Sequence, residues 1–579
     1  MLLRYRFLTL ALAPAFLFAA SSKVSPDMPT SGSVNVIIQY ASAPAPLQQV
    51  SLLGLGGILN QVLSSLNAIV ATVDATVVNS LAADPNVVYI SPDRSLSGML
   101  DYANPTVNAN IALEHGFDGT GVGIALIDSG VNSEADLNAP GLLAMLGLQS
   151  RVVYNQSFVP GQNAQDGYGH GTHVAGILAG DAAMSSGFPY THTFRGIASN
   201  AQIVNLRVLD ENGNGSDSTV IAAIEQAVAL KSQYNIRVIN LSLGRAVFES
   251  FQQDPLCQAV EYAWKNGITV VAAAGNYGRD NSSGNNGYGT ILSPGNDPLV
   301  ITVGAMKDEE TVTRTDDRIA SYSSKGPAAL DHIVKPDIVA PGNHIISIAQ
   351  PSSTLYGEAK TAGLLLPWSY YWPGINGNST QYVALNGTSM AAPMVSGAAA
   401  LLAQQNSALT PDQIKARLML TATKNFPESS VAVDPVTGAS YTSYYDIFTI
   451  GAGYLDVWAA LSNTQVATGS AASPTAVLDP STGGVTLKDT NALYSTGKST
   501  IWNSSAGWST AAIWGPGVVV SPGAAPSGST TVWGTTTVWG TTTVWGSTTV
   551  WGTTTVWGTT TVWGTTTVWG TSGVLEGEK

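Results

Sequence analysis

The chain has 579 residues, of which only 11% are charged, and a formal net charge of −14. That length exceeds one ordinary domain and suffices for a large buried core. The acidic balance repels phosphate backbones and argues against nucleic-acid partners. A single cysteine, Cys257, excludes an internal disulfide and reads as a small core residue.

Residues 1–21 carry Arg4 and Arg6, then an apolar run from Phe7 to Phe18, then small residues. This is the layout of a secretory signal, and the run is too short to span a bilayer comfortably. It predicts a secreted or extracellular protein, with cleavage between Ala19 and Ser22. Residues 33–97 read as a small α+β unit in the order β-α-β-α-β. Strands are expected over 34–40, 67–74 and 86–96, where β-branched residues gather. Helices are expected over 46–66, despite its glycines, and over 75–85.

From 103 to 463 strands and helices alternate. Residues 121–130, 201–209, 236–244, 267–276 and 299–306 are near-continuous apolar runs. Such runs suit strands buried on both faces of a parallel sheet. Helical patterns stand between them, notably at 217–233 and 256–267. The alternation predicts an α/β, doubly wound domain with a mostly parallel sheet. In such folds active groups collect at strand carboxyl ends and helix N-termini.

The stretch GHGTHVAG (169–176) sets His170 and His173 three residues apart. A zinc-protease helix needs two histidines four apart with a glutamate between them. Neither condition is met, and no metal ligand is assigned. A histidine base needs a nucleophile to serve and a carboxylate to orient it. Asp128 ends the apolar run GIALID. Ser389 lies in NGTSMAAPMVSGAAALL (386–402), a turn entering an apolar and hence buried helix. Pro393 is expected in the first turn of that helix, where its missing N–H costs little. The helix start places N–H groups and partial positive charge beside Ser389, favouring a developing oxyanion.

With ALIDSG, GHGTHVAG and NGTSMAAPMVSG in that order, the chain resembles the subtilisin-like serine proteases, the subtilases. INLSLG (239–244), AAAGN (272–276), SYSSKGP (321–327) and KPDIVAPG (335–342) extend the resemblance over the whole central domain. It implies a serine endopeptidase acting on protein or peptide substrates. Ser389 would be the nucleophile, His170 the general base and Asp128 the group that orients it. Asn276 would supply the oxyanion-hole amide, and His173 would be a structural neighbour. Ser242, Leu243 and Gly244 would pair with extended substrate. With Ala273, Ala274 and Gly275 they would wall the pocket for the residue before the cut. Such small walls allow a large apolar side chain there, and Leu292 is a candidate for narrowing its base. The aromatic insertion LLLPWSYYWPG (364–374) is a candidate cleft wall, through Trp368, Tyr370, Tyr371 and Trp372.

The resemblance also gives residues 33–97 a meaning, that of a prodomain acting as intramolecular inhibitor. The enzyme would remove it by a cut between about 94 and 104, making the chain a self-processed zymogen. No cofactor is required. Calcium is compatible with the family but is assigned no ligand, because the loop after the histidine helix departs from the asparagine-rich form. Two other readings are a catalytically silent subtilase-fold surface-binding protein and an acid peptidase of the sedolisin type. The intact Asp-His-Ser set argues against the first, and GHGTHVAG against the second.

Residues 464–579 turn to Ser, Thr, Gly and Ala. VWG recurs every six residues, at Trp533, Trp539, Trp545, Trp551, Trp557, Trp563 and Trp569. An even period would put every ring on one side of an extended strand, about 20 Å apart. This tail of TTTVWG repeats is a candidate strip for adhesion to a surface or polysaccharide.

Overall fold

The computed structural model describes residues 23–25, 28–44, 46–63, 67–92, 102–138, 150–282, 285–434, 438–467, 469–478, 485–488 and 578. The signal-like segment 1–21 and the tryptophan repeats lie outside the described residues. The chain divides into two compact units, Met1–Ser97 and Gly98–Lys579.

The first unit contains β1 (Ser33–Tyr40), α1 (Pro46–Gly54), β2 (Ile58–Leu63), β3 (Ala68–Asp74), α2 (Val78–Ala82) and β4 (Val87–Pro92). Its sheet runs β2-β3-β1-β4, antiparallel throughout. Alternation along β1 buries Val36, Ile38 and Tyr40 against Leu52, Ile69, Val73, Leu81 and Ile90. One expectation needs correcting. Residues 46–66 are not a single helix: α1 ends at Gly54, and β2 follows Gly56 and Gly57. Gly56 has φ +80°, a left-handed geometry that ends the helix, and the apolar run beyond it pairs with β3.

The second unit opens with α3 (Ala103–Thr106) and α4 (Ala109–Glu114), then β5 (Gly123–Asp128), β6 (Val152–Ser157), α5 (His170–Ala179) and β7 (Gln202–Arg207). It continues with α6 (Asp217–Tyr234), β8 (Ile236–Leu241), α7 (Pro255–Lys265), β9 (Thr269–Ala273), β10 (Ile301–Lys307), β11 (Arg318–Ile319) and β12 (Ile338–Pro341). Then come β13 (Ile345–Ile348), α8 (Thr354–Ala362), β14 (Tyr382–Leu385), α9 (Thr388–Gln405) and α10 (Pro411–Thr421). The main sheet runs β11-β10-β9-β8-β5-β7-β6, and β12 also pairs with β10. The two-residue edge strand β11 pairs antiparallel, and the other pairings are parallel. β5 and β8 are buried along their whole length, as their unbroken apolar runs require.

This topology fixes where a site can form. From β5 the chain goes out to the edge strand β6, comes back to β7 beside β5, and then crosses to build β8, β9 and β10 on the other side. The winding direction therefore switches at β5, and ligands in open α/β sheets bind beyond the strand ends at such a point. α9 packs against β8, β9, β10, β12 and α5, and is buried from Thr388 to Ala403. A fully apolar helix has no other stable place. Among the described residues no helix is long and apolar enough to cross a membrane.

Candidate active site

Asp128 is the last residue of β5, His170 the first of α5 and Ser389 the second of α9. All three are buried. The Asp128 carboxylate is aimed by its own backbone neighbourhood, since Oδ1 accepts the Ser129 N–H at 2.7 Å. The same oxygen lies 2.7 Å from His170 Nδ1. A carboxylate accepts, so Nδ1 carries the proton of the neutral ring and Nε2 keeps its lone pair. Among the described residues Nε2 has no hydrogen-bond partner. Burial lowers the His170 pKa, but the Asp128 charge and hydrogen bond outweigh it, and the net shift is upward.

A second carboxylate holds the approach of α5 to β5. Asp166 accepts from Ser129 Oγ at 2.8 Å, Gly169 N at 2.6 Å and Thr172 N at 2.7 Å. Ser129 Oγ in turn accepts from Gly171 N at 2.9 Å. Gly171 is required by proximity: a Cβ there would lie 2.2 Å from the Gly130 carbonyl oxygen and 3.2 Å from Asp128 Oδ1. Sequence reading missed Asp166 and Ser129. The signal was present, because a carboxylate just ahead of a helix caps its free N–H groups.

His173 has a different environment. Its Nε2 lies 3.1 Å from the carbonyl oxygens of both Ile345 and Val383, on the paired strands β13 and β14. Carbonyls only accept, so Nε2 donates. Burial first, and then the neighbouring His170, pull its pKa down to about 3. His173 therefore pins α5 to the paired strands β13 and β14.

The start of α9 is built around Asn276. Its Oδ1 accepts from Thr388 N at 2.9 Å and Thr388 Oγ1 at 3.2 Å, and Thr388 Oγ1 accepts from Gly275 N at 3.0 Å. These bonds orient the amide and leave Nδ2 without a partner among the described residues. A helix also leaves its first N–H groups free of intrahelical bonds, Ser389 N among them. A Cβ added to Gly387, at φ +144°, would sit 3.1 Å from Asn276 Nδ2 and 3.6 Å from Ser389 N. Glycine thus keeps open the space that both donors face.

Pro393 departs from expectation. It is the sixth residue of α9 and lies inside the helix, not in its first turn. Lacking an N–H, it cannot bond the carbonyl four residues back, which belongs to Ser389. Ser242 Oγ donates to that carbonyl at 2.8 Å, and Ser389 Oγ donates to the Ser242 carbonyl at 3.2 Å. The two serines bind β8's exit to the helix start.

Ser242, Leu243 and Gly244 follow β8, and Ala273, Ala274 and Gly275 close β9 and lead to Asn276. The fold therefore sets the two segments beside the start of α9. Leu292 stands between them, and its N–H donates to the Ala274 carbonyl at 3.0 Å. The aromatic insertion is used in packing. Tyr371 is buried, with ring centroids 5.3 Å from Phe194 and 5.4 Å from Tyr382, and Trp372 meets Tyr190 edge-on at 5.0 Å. Trp368 packs on Tyr371 at 5.5 Å and Tyr370 stacks on His192 at 4.6 Å. Cys257 is buried in α7, with Sγ 3.3 Å from Asn296 Oδ1.

Among the described residues no group of three or more His, Cys, Asp or Glu side chains is arranged to hold a metal ion. The buried Asp136 is occupied by protein donors, Met184 N at 2.8 Å and Tyr382 OH at 2.5 Å.

Residues 119–438 match the Subtilase family. Serine protease AprX of Bacillus subtilis (strain 168) is 35% identical over 364 residues, covering 61% of this chain and 73% of that protein. Subtilisin E of the same organism is 33% identical over 374 residues, covering 64% and 78% respectively. A solved cold adapted subtilisin-like serine proteinase is 30% identical, covers 53% of this chain and 85% of its own, and superposes with a TM-score of 0.36.

Proposed function

The chain belongs to the subtilase family and is a subtilisin-like serine endopeptidase, and on that premise we propose that Ser389, His170 and Asp128 carry its chemistry. Its substrates are proteins or peptides. The observation that carries the assignment is the 2.7 Å contact between Asp128 Oδ1 and His170 Nδ1, which leaves Nε2 free to take a proton.

The Ser389 hydroxyl leaves the Ser242 carbonyl and gives its proton to His170 Nε2 as Oγ bonds to the scissile carbonyl carbon. The imidazolium that forms is stabilised by the Asp128 carboxylate. The carbonyl oxygen becomes an oxyanion beside Gly387, where Asn276 Nδ2 and Ser389 N donate to it. Collapse breaks the C–N bond. His170 passes the proton to the leaving amine, and an acyl-enzyme ester remains on Ser389. Water then attacks the ester, with His170 as base once more, and releases the acid. Ser242-Leu243-Gly244 holds the extended substrate backbone, with Ala273, Ala274 and Gly275 opposite.

The remaining assignments follow the same premise. Residues 1–21 direct secretion. Residues 33–97 act as prodomain and intramolecular inhibitor, and the enzyme removes them by a cut between about 94 and 104. Residues 103–463 form the peptidase, and the tail 464–579 is a strip for a surface or polysaccharide. The test compares intact masses of the precursor and its Ser389→Ala variant after equal incubation. Wild type is expected to shed a fragment ending near residues 94–104 while the variant stays whole. Equal cleavage of both would refute Ser389 as the processing nucleophile.

A further inference from the structure

We infer that Leu292 fills the pocket for the side chain preceding the scissile bond, so that this enzyme cuts after small residues, alanine and glycine, and rejects large apolar ones. The inference deepens the proposed function and rests on its placement of substrate between 242–244 and 273–275. Both walls of that space end in glycine, Gly244 on one side and Gly275 on the other, and a Cβ added to either would point at the same neighbour. On Gly244 it would lie 2.9 Å from the Ser293 carbonyl oxygen, 3.1 Å from Leu292 Cβ and 3.4 Å from Cδ1. On Gly275 it would lie 2.7 Å from Leu292 Cγ, 2.8 Å from Ser324 Oγ and 3.0 Å from Leu292 Cδ1. The isobutyl group therefore spans the slot that two side-chain-free positions would otherwise leave open.

Leu292 is also held there. Its N–H donates to the Ala274 carbonyl at 3.0 Å, on one wall. The next residue, Ser293, exchanges backbone hydrogen bonds of 2.9 and 2.8 Å with Arg245, at the end of the other wall. Ser293 Oγ donates to Asp254 Oδ2 at 2.7 Å, and Asp254 Oδ1 accepts from Arg245 Nη2 at 2.8 Å. Asp254 is the N-cap of α7, so the loop is tied to a helix end as well. Leu292 is only 5% exposed. A phenyl ring entering the slot would have to drive it into close-packed neighbours, which cores resist. A methyl group needs only the mouth of the slot. The small walls alone suggest a deep apolar pocket, and Leu292 reverses that expectation.

The test uses the mature full-length enzyme and three succinyl-tetrapeptide p-nitroanilides that differ only in the residue before the anilide: Ala, Leu or Phe. Wild type is expected to favour Ala over Phe in kcat/KM by about tenfold or more, the scale on which apolar pockets discriminate by size. Leu292→Gly is expected to raise the Phe-to-Ala ratio by about tenfold or more, and Leu292→Ala to raise it less. A wild type that prefers Leu or Phe overturns the inference. So does an unchanged ratio in a variant that still cleaves the Ala substrate. If the variants do not fold, the wild-type preference decides. If wild type cleaves none of the three and a serine-directed phosphonate fails to label Ser389, the triad assignment falls and takes this inference with it. If Ser389 is labelled and Phe is preferred, the pocket inference alone falls.

Discussion

Two histidines three residues apart on one helix are held in opposite ways. His170 donates from Nδ1 to a carboxylate that favours its cation, whereas His173 donates from Nε2 to two carbonyls in a buried site that forbids the charge. Only His170 can cycle a proton near neutrality. Its pKa lies above the ordinary 6.5, and a general base must be neutral to act. Activity is therefore expected to fall as pH drops through a midpoint above 6.5, and to recover fully on return. A kcat/KM profile over pH 5 to 9 checks this, and full activity at pH 5 would contradict it. Asn276 is the second residue whose chemistry is set by its bonds, because Thr388 occupies its oxygen and its nitrogen has no partner among the described residues. In subtilisin itself, removing the corresponding donor costs about 10²–10³ in turnover. That borrowed magnitude is the expectation for Asn276→Ala, read as a fall in kcat with little change in KM.

At the scale of elements, the site depends on how strands and helices are fastened. One fastening lies away from the chemistry. Asp337, one residue before β12, accepts from Lys335 Nζ at 2.7 Å and Thr302 N at 2.8 Å. Its other oxygen lies 3.1 Å from Lys415 Nζ, on α10. All three charged side chains are fully buried. Burial, opposed by Asp337, brings the Lys415 pKa down to about 7. Asp337→Asn would take away the carboxylate that two buried lysines share. In the Ser389→Ala background, to prevent self-digestion, urea unfolding is expected to show a loss of about 3–5 kcal/mol. A loss below about 1 kcal/mol would contradict this. Lys335 and Asp337 stand together in KPDIVAPG, but their link to Lys415 was not legible, because that residue lies far along the chain. The inner strands β5, β7, β8, β9 and β10 were legible, since burial on both faces leaves near-continuous apolar runs such as GIALID and IRVINL, whereas β6, β11 and β12 carry no such run. Pro393 misled for a local reason. A proline inside a helix is tolerated here only because Ser242, 151 residues earlier in the chain, bonds the carbonyl it orphans. The 46–66 segment misled because apolar spacing alone cannot show a helix handing over to a strand at two glycines.

At the scale of the whole molecule, the two units differ in how they store information. In the second unit Asp128, His170, Asn276 and Ser389 lie in short motifs, where backbone geometry tolerates few alternatives. Gly171 and Gly387 are such positions, where a single added carbon would collide with a carbonyl or close the space between two donors. The supporting shell of Ser129, Asp166 and Thr388 was not found, since serine, threonine and aspartate near helix starts are common and their partners appear only in three dimensions. In the first unit an antiparallel sheet with one buried face needs only alternation, which many sequences satisfy, so its role comes from the family premise. The proposed chemistry turns on one covalent bond. The measurement that tests it most directly is treatment of the active enzyme with a fluorophosphonate, followed by peptide mass mapping. The expected result is one adduct per chain, on Ser389, formed in proportion to the loss of activity. An adduct elsewhere that tracks the loss, or activity that survives complete modification of Ser389, would contradict the account.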